Sequence, residues 1–262
     1  MRAIRGADAV INLVAILYPT GKQTFDAVQL GGAERIARLC AAEGIDNLVH
    51  ISAIGADADS EIPYARTKGL AEQAVLNHVP SAAILRPSIV FGEEDQFFNR
   101  FAKLARMLPV MPLIGGDTKF QPVYVGDVAE ATVRAMGNAD ARGQTFELGG
   151  PDVITMRGVY EKVFEETLRK RLMIPVPWWI AKVQAWFAEI PNRLLGIAPL
   201  FTRDQLAMLK LDNVVAEDAK GLSDFGITPT TMDAILPSYL YMYRPYGPVS
   251  YTHLTLPTTP YV

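Results

Sequence analysis

The chain has 262 residues, half of them hydrophobic and a fifth charged, with a formal net charge of -3. That balance fits one large domain, or one domain with a smaller appendage, and it lacks the basic excess of a nucleic-acid binder. The single cysteine, Cys40, excludes an internal disulfide and favours a reducing compartment, and the three histidines have no thiol or carboxylate cluster at ligand spacing, so no metal site is expected.

The first residues, Met1 to Gly6, read as neither a signal peptide nor an anchor, and no apolar run approaches the roughly 20 residues that cross a bilayer. Ala9–Ala15 is a short apolar run of the kind buried on both faces of a parallel sheet. Because it begins almost at residue one, the chain is expected to start inside its fold. Thr24–Glu43 reads as a helix stopped by Gly44, Asn47–Ser52 as a strand, Pro63–Asn77 as a helix, and Ala82–Arg86 as a strand closed by Pro87. Alternation at this spacing implies parallel crossovers and an α/β, Rossmann-type doubly wound sheet. Beyond Gly92 the pattern changes. Phe97–Met107 reads as helix, Phe120–Val125 as extended, Asp127–Met136 as helix, Gln144–Leu148 as extended, and the stretch after Met156 as mainly helical with proline breaks. The expected organisation is a partial nucleotide-binding domain over residues 1–92 and a mixed, mainly helical region over 93–250 that returns in part to the sheet. Residues 251–262 form a tail without period, resembling translated adapter sequence and set apart from the fold.

Several residues carry candidate chemistry. Tyr64 and Lys68 form a Tyr-x-x-x-Lys pair, and i,i+4 spacing puts phenol and ammonium on one helix face. A nearby cation favours the phenolate and lowers the tyrosine pKa, although the pair alone recurs by chance. Gly31-Gly32 inside a helix costs about 1 kcal/mol per residue against alanine, which close packing on the sheet would explain. Asp127 is expected to cap the helix it opens, and Glu93-Glu94-Asp95 reads as a solvated loop. Trp179, Ile180, Val183, Trp186, Phe187 and Ile190 recur at helical spacing across Trp178–Ile190; such a stripe packs on a core, or suits a membrane surface or partner groove.

Order adds specificity. Leu48–Ala53, then Tyr64 and Lys68, then Ile84–Gly92 with its Arg86-Pro87 strand end, then Gln121–Ala129 together resemble the extended and atypical short-chain dehydrogenase/reductases. Within them, Val10–Leu13, Phe91–Phe101, Lys119–Val125, Thr202–Gln205 and Asp212-Asn213 resemble most the NAD(P)H-binding accessory subunit of respiratory complex I. The resemblance implies a cofactor, NADP or NAD, serving mainly as a structural or sensing element, and complex I subunits as partners. It also implies a cytoplasmic location, peripheral on the inner face of the cytoplasmic membrane. The alternative is an NAD(P)-dependent epimerase, dehydratase or reductase acting on a nucleotide sugar or carbonyl compound. By the same resemblance Tyr64, Lys68 and Ser52 take the catalytic positions, the serine slot falling on Ser52 or, counted from the strand, on Ala53. Leu13, Val14, Ala15, Ser52, Tyr64, Lys68, Pro87, Ser88 and Ile89 line the cofactor. The family's Gly-x-x-Gly-x-x-Gly loop, which cradles the pyrophosphate on a helix N-terminus, has no counterpart here, so an N-terminal truncation is expected.

Overall fold

A computed structural model of the chain describes residues 4–185 and 202–245. Four parallel strands form the central sheet in the order β1 (Val10–Asn12), β2 (Leu48–Ile51), β3 (Ala83–Pro87), β8 (Thr145–Leu148). In chain order the elements between are α1 (Gly31–Ala42), α2 (Pro63–His78), β4 (Val90–Phe91), α3 (Phe98–Met107), β5 (Val110–Leu113), β6 (Lys119–Phe120), β7 (Val123–Tyr124) and α4 (Val125–Gly137). After β8 come β9 (Ile154–Thr155), α5 (Met156–Glu166), β10 (Leu172–Pro175), a helix α6 described over residues 178–185, α7 (Arg203–Met208) and α8 (Met232–Leu240).

The sheet is wound on both faces. Leu48 and Ile84 share a buried cluster with Ala37, Cys40 and Val75 of α1 and α2. Val49, Leu85 and Phe146 point the other way, against Ala131 and Ala135 of α4. Adjacent residues on a strand thus serve opposite faces, which is why β2 and β3 are mainly apolar. The local signals agree with the elements. Pro63 sits at the first turn of α2, where its missing N–H costs nothing. Gly44 follows α1 at φ +70°, and the Thr155 hydroxyl accepts from the Gly158 amide to start α5.

A second core joins Phe98, Ala102, Met111, Val159, Val163, Leu236 and Tyr239 from α3, β5, α5 and α8. Its strands are short pairs: β5 runs parallel to β10, and β6 antiparallel to β9.

Several expectations change here. β1 ends at Asn12, and Leu13–Ala15 lie beyond the strand. The helix expected from Thr24 starts with a π-helical turn, Asp26–Leu30, that runs into α1. A Cβ on Gly32 would meet nothing within 4 Å, so close packing does not explain that glycine. Gly69 of α2 carries the close approach instead: its Cβ would lie 2.3 Å from the Ala58 backbone nitrogen. Asp127 is no cap; α4 already begins at Val125, and the carboxylate accepts from the Thr230 amide at 2.7 Å and hydroxyl at 2.8 Å. In α6 the buried residues are Ala181 and Ala185, packed with Leu206, while Trp179 and Val183 face solvent. Trp186, Phe187 and Ile190 lie outside the described residues, as do residues 251–262. No described helix is long and apolar enough to cross a membrane.

Candidate functional site at the carboxyl edge of the sheet

The carboxyl ends of β1, β2 and β3 open onto one edge, where parallel α/β sheets bind ligands. The expected residues converge there. Leu13 and Val14 stand exposed just past β1. An open cleft of about 260 Å³ follows them, lined by Ile16, Leu17, Tyr18, Thr20 and Gln23. Ser52 follows β2 and is buried, its amide bonded to the Leu85 carbonyl at 2.7 Å. Pro87 ends β3, and its carbonyl receives the Ile54 amide at 3.1 Å. Ser88 is engaged rather than open: its hydroxyl donates to Asn213 Oδ1 at 2.6 Å, and its amide to the Leu148 carbonyl. The Ile89 carbonyl accepts from Val123.

Tyr64 and Lys68 lie on the first two turns of α2 but are not electrostatically paired. The Lys68 side chain is buried, and its ammonium donates to the Ile51 carbonyl at 3.2 Å. Burial lowers its pKa to about 8, with the Glu72 carboxylate pulling the other way. Glu72 itself is held by Arg86 through two bonds of 2.9 and 2.6 Å. Burial alone raises the Tyr64 phenol to about 12, and its ring packs edge-on to Phe25. Contrary to the expectation from their spacing, Lys68 does not lower the tyrosine pKa in this arrangement. The lysine is the group nearer neutrality, and the phenol is a firmly protonated acid.

Two further side chains complete the buried cluster. Asn12 and His50 are register partners across β1 and β2. Asn12 Oδ1 accepts from the Val14 amide at 3.1 Å, which turns its amide nitrogen to His50 Nδ1 at 2.9 Å. The ring proton then resides on Nε2. His50 Nε2 and Ser52 Oγ are the two buried side-chain atoms without a hydrogen-bond partner among the described residues. Burial first, and the Lys68 charge second, push His50 down to about 3, so the ring is neutral. Gln29 stitches the neighbouring layer, donating to the Ile16 carbonyl and accepting from Thr67 Oγ1, each at 2.8 Å. His50 and Gln29 escaped the sequence reading. The usable signal was the alignment of Asn12 and His50 at the carboxyl ends of adjacent parallel strands.

This edge gathers polar and apolar groups where a ligand of a parallel α/β sheet is bound. It offers a desolvated cation, two buried polar atoms without internal partners, and an exposed apolar lip at Leu13-Val14. Among the described residues no cluster of metal-ligating side chains occurs.

Fold and edge together define a Rossmann-like α/β chain. The chain belongs to the RmlD substrate binding domain family, whose model matches residues 20–185. It is 35% identical over 250 residues to the NADH dehydrogenase [ubiquinone] 1 alpha subcomplex subunit 9, mitochondrial, of Arabidopsis thaliana, covering 92% of this chain and 62% of that protein. It thus spans less than two thirds of that relative's length. It is also 32% identical over 188 residues to the dTDP-4-dehydrorhamnose reductase of Mycobacterium tuberculosis, covering 63% of this chain and 61% of the enzyme. Among solved structures, the Thermus thermophilus UDP-glucose 4-epimerase complex with NAD aligns at a TM-score of 0.56 and 24% identity, covering 67% of this chain and 68% of that one. The resemblance to the complex I accessory subunits is thereby upheld. The expected place on the inner face of a cytoplasmic membrane is corrected: the complex I relatives, from Arabidopsis thaliana, Neurospora crassa and Rattus norvegicus, are mitochondrial proteins.

Proposed function

We propose that the chain binds a nicotinamide dinucleotide, NADP or NAD, at the carboxyl edge of its sheet and serves as an accessory subunit of respiratory complex I. In this reading the cofactor is mainly a structural or sensing element. The observation that carries it is the split between binding and proton-transfer groups. Lys68 is buried and oriented at the ends of the strands. Tyr64 has its phenol raised to about 12 with no cation contributing, and Ser52 Oγ has no partner among the described residues. Such a site holds a ribose more readily than it moves a proton. Leu13, Val14, Ala15, Pro87, Ser88 and Ile89 would line the cofactor, with Ser52, Tyr64 and Lys68 over the nicotinamide half. The bound group would supply hydride chemistry; these residues would bind it and exclude water.

The test is calorimetric titration of NADPH and NADH into the full-length protein and two variants, with native electrophoresis of the source membranes. Lys68→Ala weakens binding by about 1.5–3 kcal/mol, the worth of a hydrogen bond to a charged group. Tyr64→Phe leaves the affinity nearly unchanged. The protein migrates with NADH–quinone oxidoreductase activity in a high-mass assembly. A free dimer that turns over a sugar nucleotide, with Tyr64→Phe dead and Tyr64 wild type active, overturns the reading. That outcome would favour the second reading, a reductase or epimerase, which the Tyr64–Lys68 spacing and the match to dTDP-4-dehydrorhamnose reductase support.

A further inference from the structure

The β5–β10 pair turns one face to the core and the other to solvent. Met111 and Leu113 are buried, so their strand neighbours Val110 and Pro112 point outward. Parallel register sets Leu172 beside Val110 and Ile174 beside Pro112. Leu172 is 64% exposed and Ile174 47% exposed. An apolar sheet face left in water is uncommon on a monomer and marks a contact surface. It continues at the amino ends of the two strands, where Met107 and Leu168 are also exposed.

Four cations rim this end: Arg106, Arg169, Lys170 and Arg171. None of them forms an ion pair with a described acid. Two guanidiniums are fixed on backbone carbonyls instead, Arg169 Nε on Tyr243 at 2.8 Å and Arg171 Nε on Ala105 at 2.7 Å. Partial burial, and then the charges of Arg171 and Arg106, hold Arg169 below the usual guanidinium value. The chain as a whole is acidic, so this is a local concentration of unbalanced positive charge rather than a general excess.

Leu168 adds an independent observation. α5 closes by bonds from the Leu168 amide to Glu165 and from the Arg169 amide to Phe164. That closure puts Leu168 at φ +53°, the only left-handed non-glycine residue among those described. Glycine is the residue that backbone sterics favour there. A leucine in that place, with its side chain in water, is a local cost of the kind found at functional surfaces.

We propose that the outer face of the β5–β10 pair, with Leu168, Lys170 and the neighbouring arginines, docks onto another protein whose surface has an apolar centre ringed by carboxylates. Charge complementarity selects the acidic rim. Arginine and methionine are enriched at protein interfaces, whereas the face itself, Met107, Val110, Pro112, Leu168, Leu172 and Ile174, has among its described residues none of the tryptophan and tyrosine that anchor proteins at a bilayer surface. The proposal rests on the accessory-subunit reading, which supplies neighbouring subunits as partners.

The experiment uses complex I isolated from a strain lacking this protein, and measures rebinding of the purified full-length protein. Leu172→Glu and Lys170→Glu weaken rebinding about tenfold or more while keeping the wild-type unfolding midpoint, and salt weakens the wild type. Leu168→Gly raises the unfolding midpoint yet weakens rebinding, a pair of signs that a merely structural role does not produce. Wild type that rebinds, with all three variants rebinding equally, overturns this surface alone. Wild type that fails to rebind overturns the accessory-subunit reading and the surface with it. Binding to protein-free phosphatidylglycerol–phosphatidylcholine vesicles that Leu172→Glu abolishes would replace the protein partner by a lipid one. A wild-type dimer that Leu172→Glu dissolves would replace it by a second copy.

Discussion

The two cores treat buried polar groups in opposite ways. In the α3–α5–α8 core each is closed on another. Half-buried Asp95 receives the Tyr239 hydroxyl and the Phe97 and Asn99 amides, Asn99 receives the Tyr243 hydroxyl at 2.8 Å, and Thr118 donates to the Leu209 carbonyl at 2.7 Å. Under α2 the cluster of Asn12, His50, Ser52 and Lys68 leaves two buried atoms, His50 Nε2 and Ser52 Oγ, without partners among the described residues. A closed network specifies one packing, and an open one holds capacity for something else. On the proposed function, the contrast separates the part that holds the shape from the part that would receive a ligand.

The largest expected effect is acid lability of the open cluster. His50 falls from 6.5 to about 3 on folding. Between those values the unfolded chain binds a proton that the native one does not. Its contribution is therefore full above pH 6.5 and lost as pH falls toward 3, about 5 kcal/mol in all at ~1.4 kcal/mol per unit. Urea unfolding at pH 7 and pH 4.5 checks this. Wild type loses stability across the interval, His50→Gln loses less, and equal losses would show that the ring is not the buried neutral group described.

Next in size is Tyr239→Phe in the closed core, expected to cost about 1.5–3 kcal/mol because the half-buried Asp95 carboxylate loses a donor. Nucleotide affinity should not move, and a change in affinity without a change in stability would dissolve the contrast between the cores. The smallest effect sharpens it at two glycines. Gly32→Ala is expected to stabilise by about 0.5–1 kcal/mol, since its Cβ has open space. Gly69→Ala destabilises by about 1–3 kcal/mol, since its Cβ would strike backbone at Ala58. Thermal unfolding of the pair reads both signs.

Much of the sheet was legible because β2 and β3 are buried on both faces, which leaves mainly apolar runs, while β8 alternates Thr145 and Glu147 with buried Phe146 and Leu148. β10 was not. Its Leu172-Met173-Ile174-Pro175 follows Arg171 and ends in a proline, features that argue against a strand until β5 is seen alongside. Asp127 misled because a carboxylate near a helix start usually caps it, and the sequence gives no sign of Thr230, 103 residues away. At the site, Tyr64 and Lys68 were readable from spacing, but spacing is blind to rotamers. Lys68 turns toward the Ile51 carbonyl and leaves the phenol to burial alone. His50 was hidden for a different reason: one histidine in an apolar strand looks like filler, and only the register with Asn12 gives it a task.

Asn213 fastens the edge of the sheet from far along the chain. It receives the Ser88 hydroxyl 125 residues away, its carbonyl accepts from Gln121, and its amide donates to Lys119. A contact of that span closes only after most loop entropy has been spent, so it belongs to the late, slow part of folding. During synthesis the strands and α2 can assemble as they leave the ribosome, but the Pro87-Ser88 end stays unsealed until residue 213 has emerged. The nascent chain would hold its carboxyl edge open through more than a hundred residues of elongation, at about 5–20 residues per second, which gives a ligand several seconds to enter before the last strap is tied.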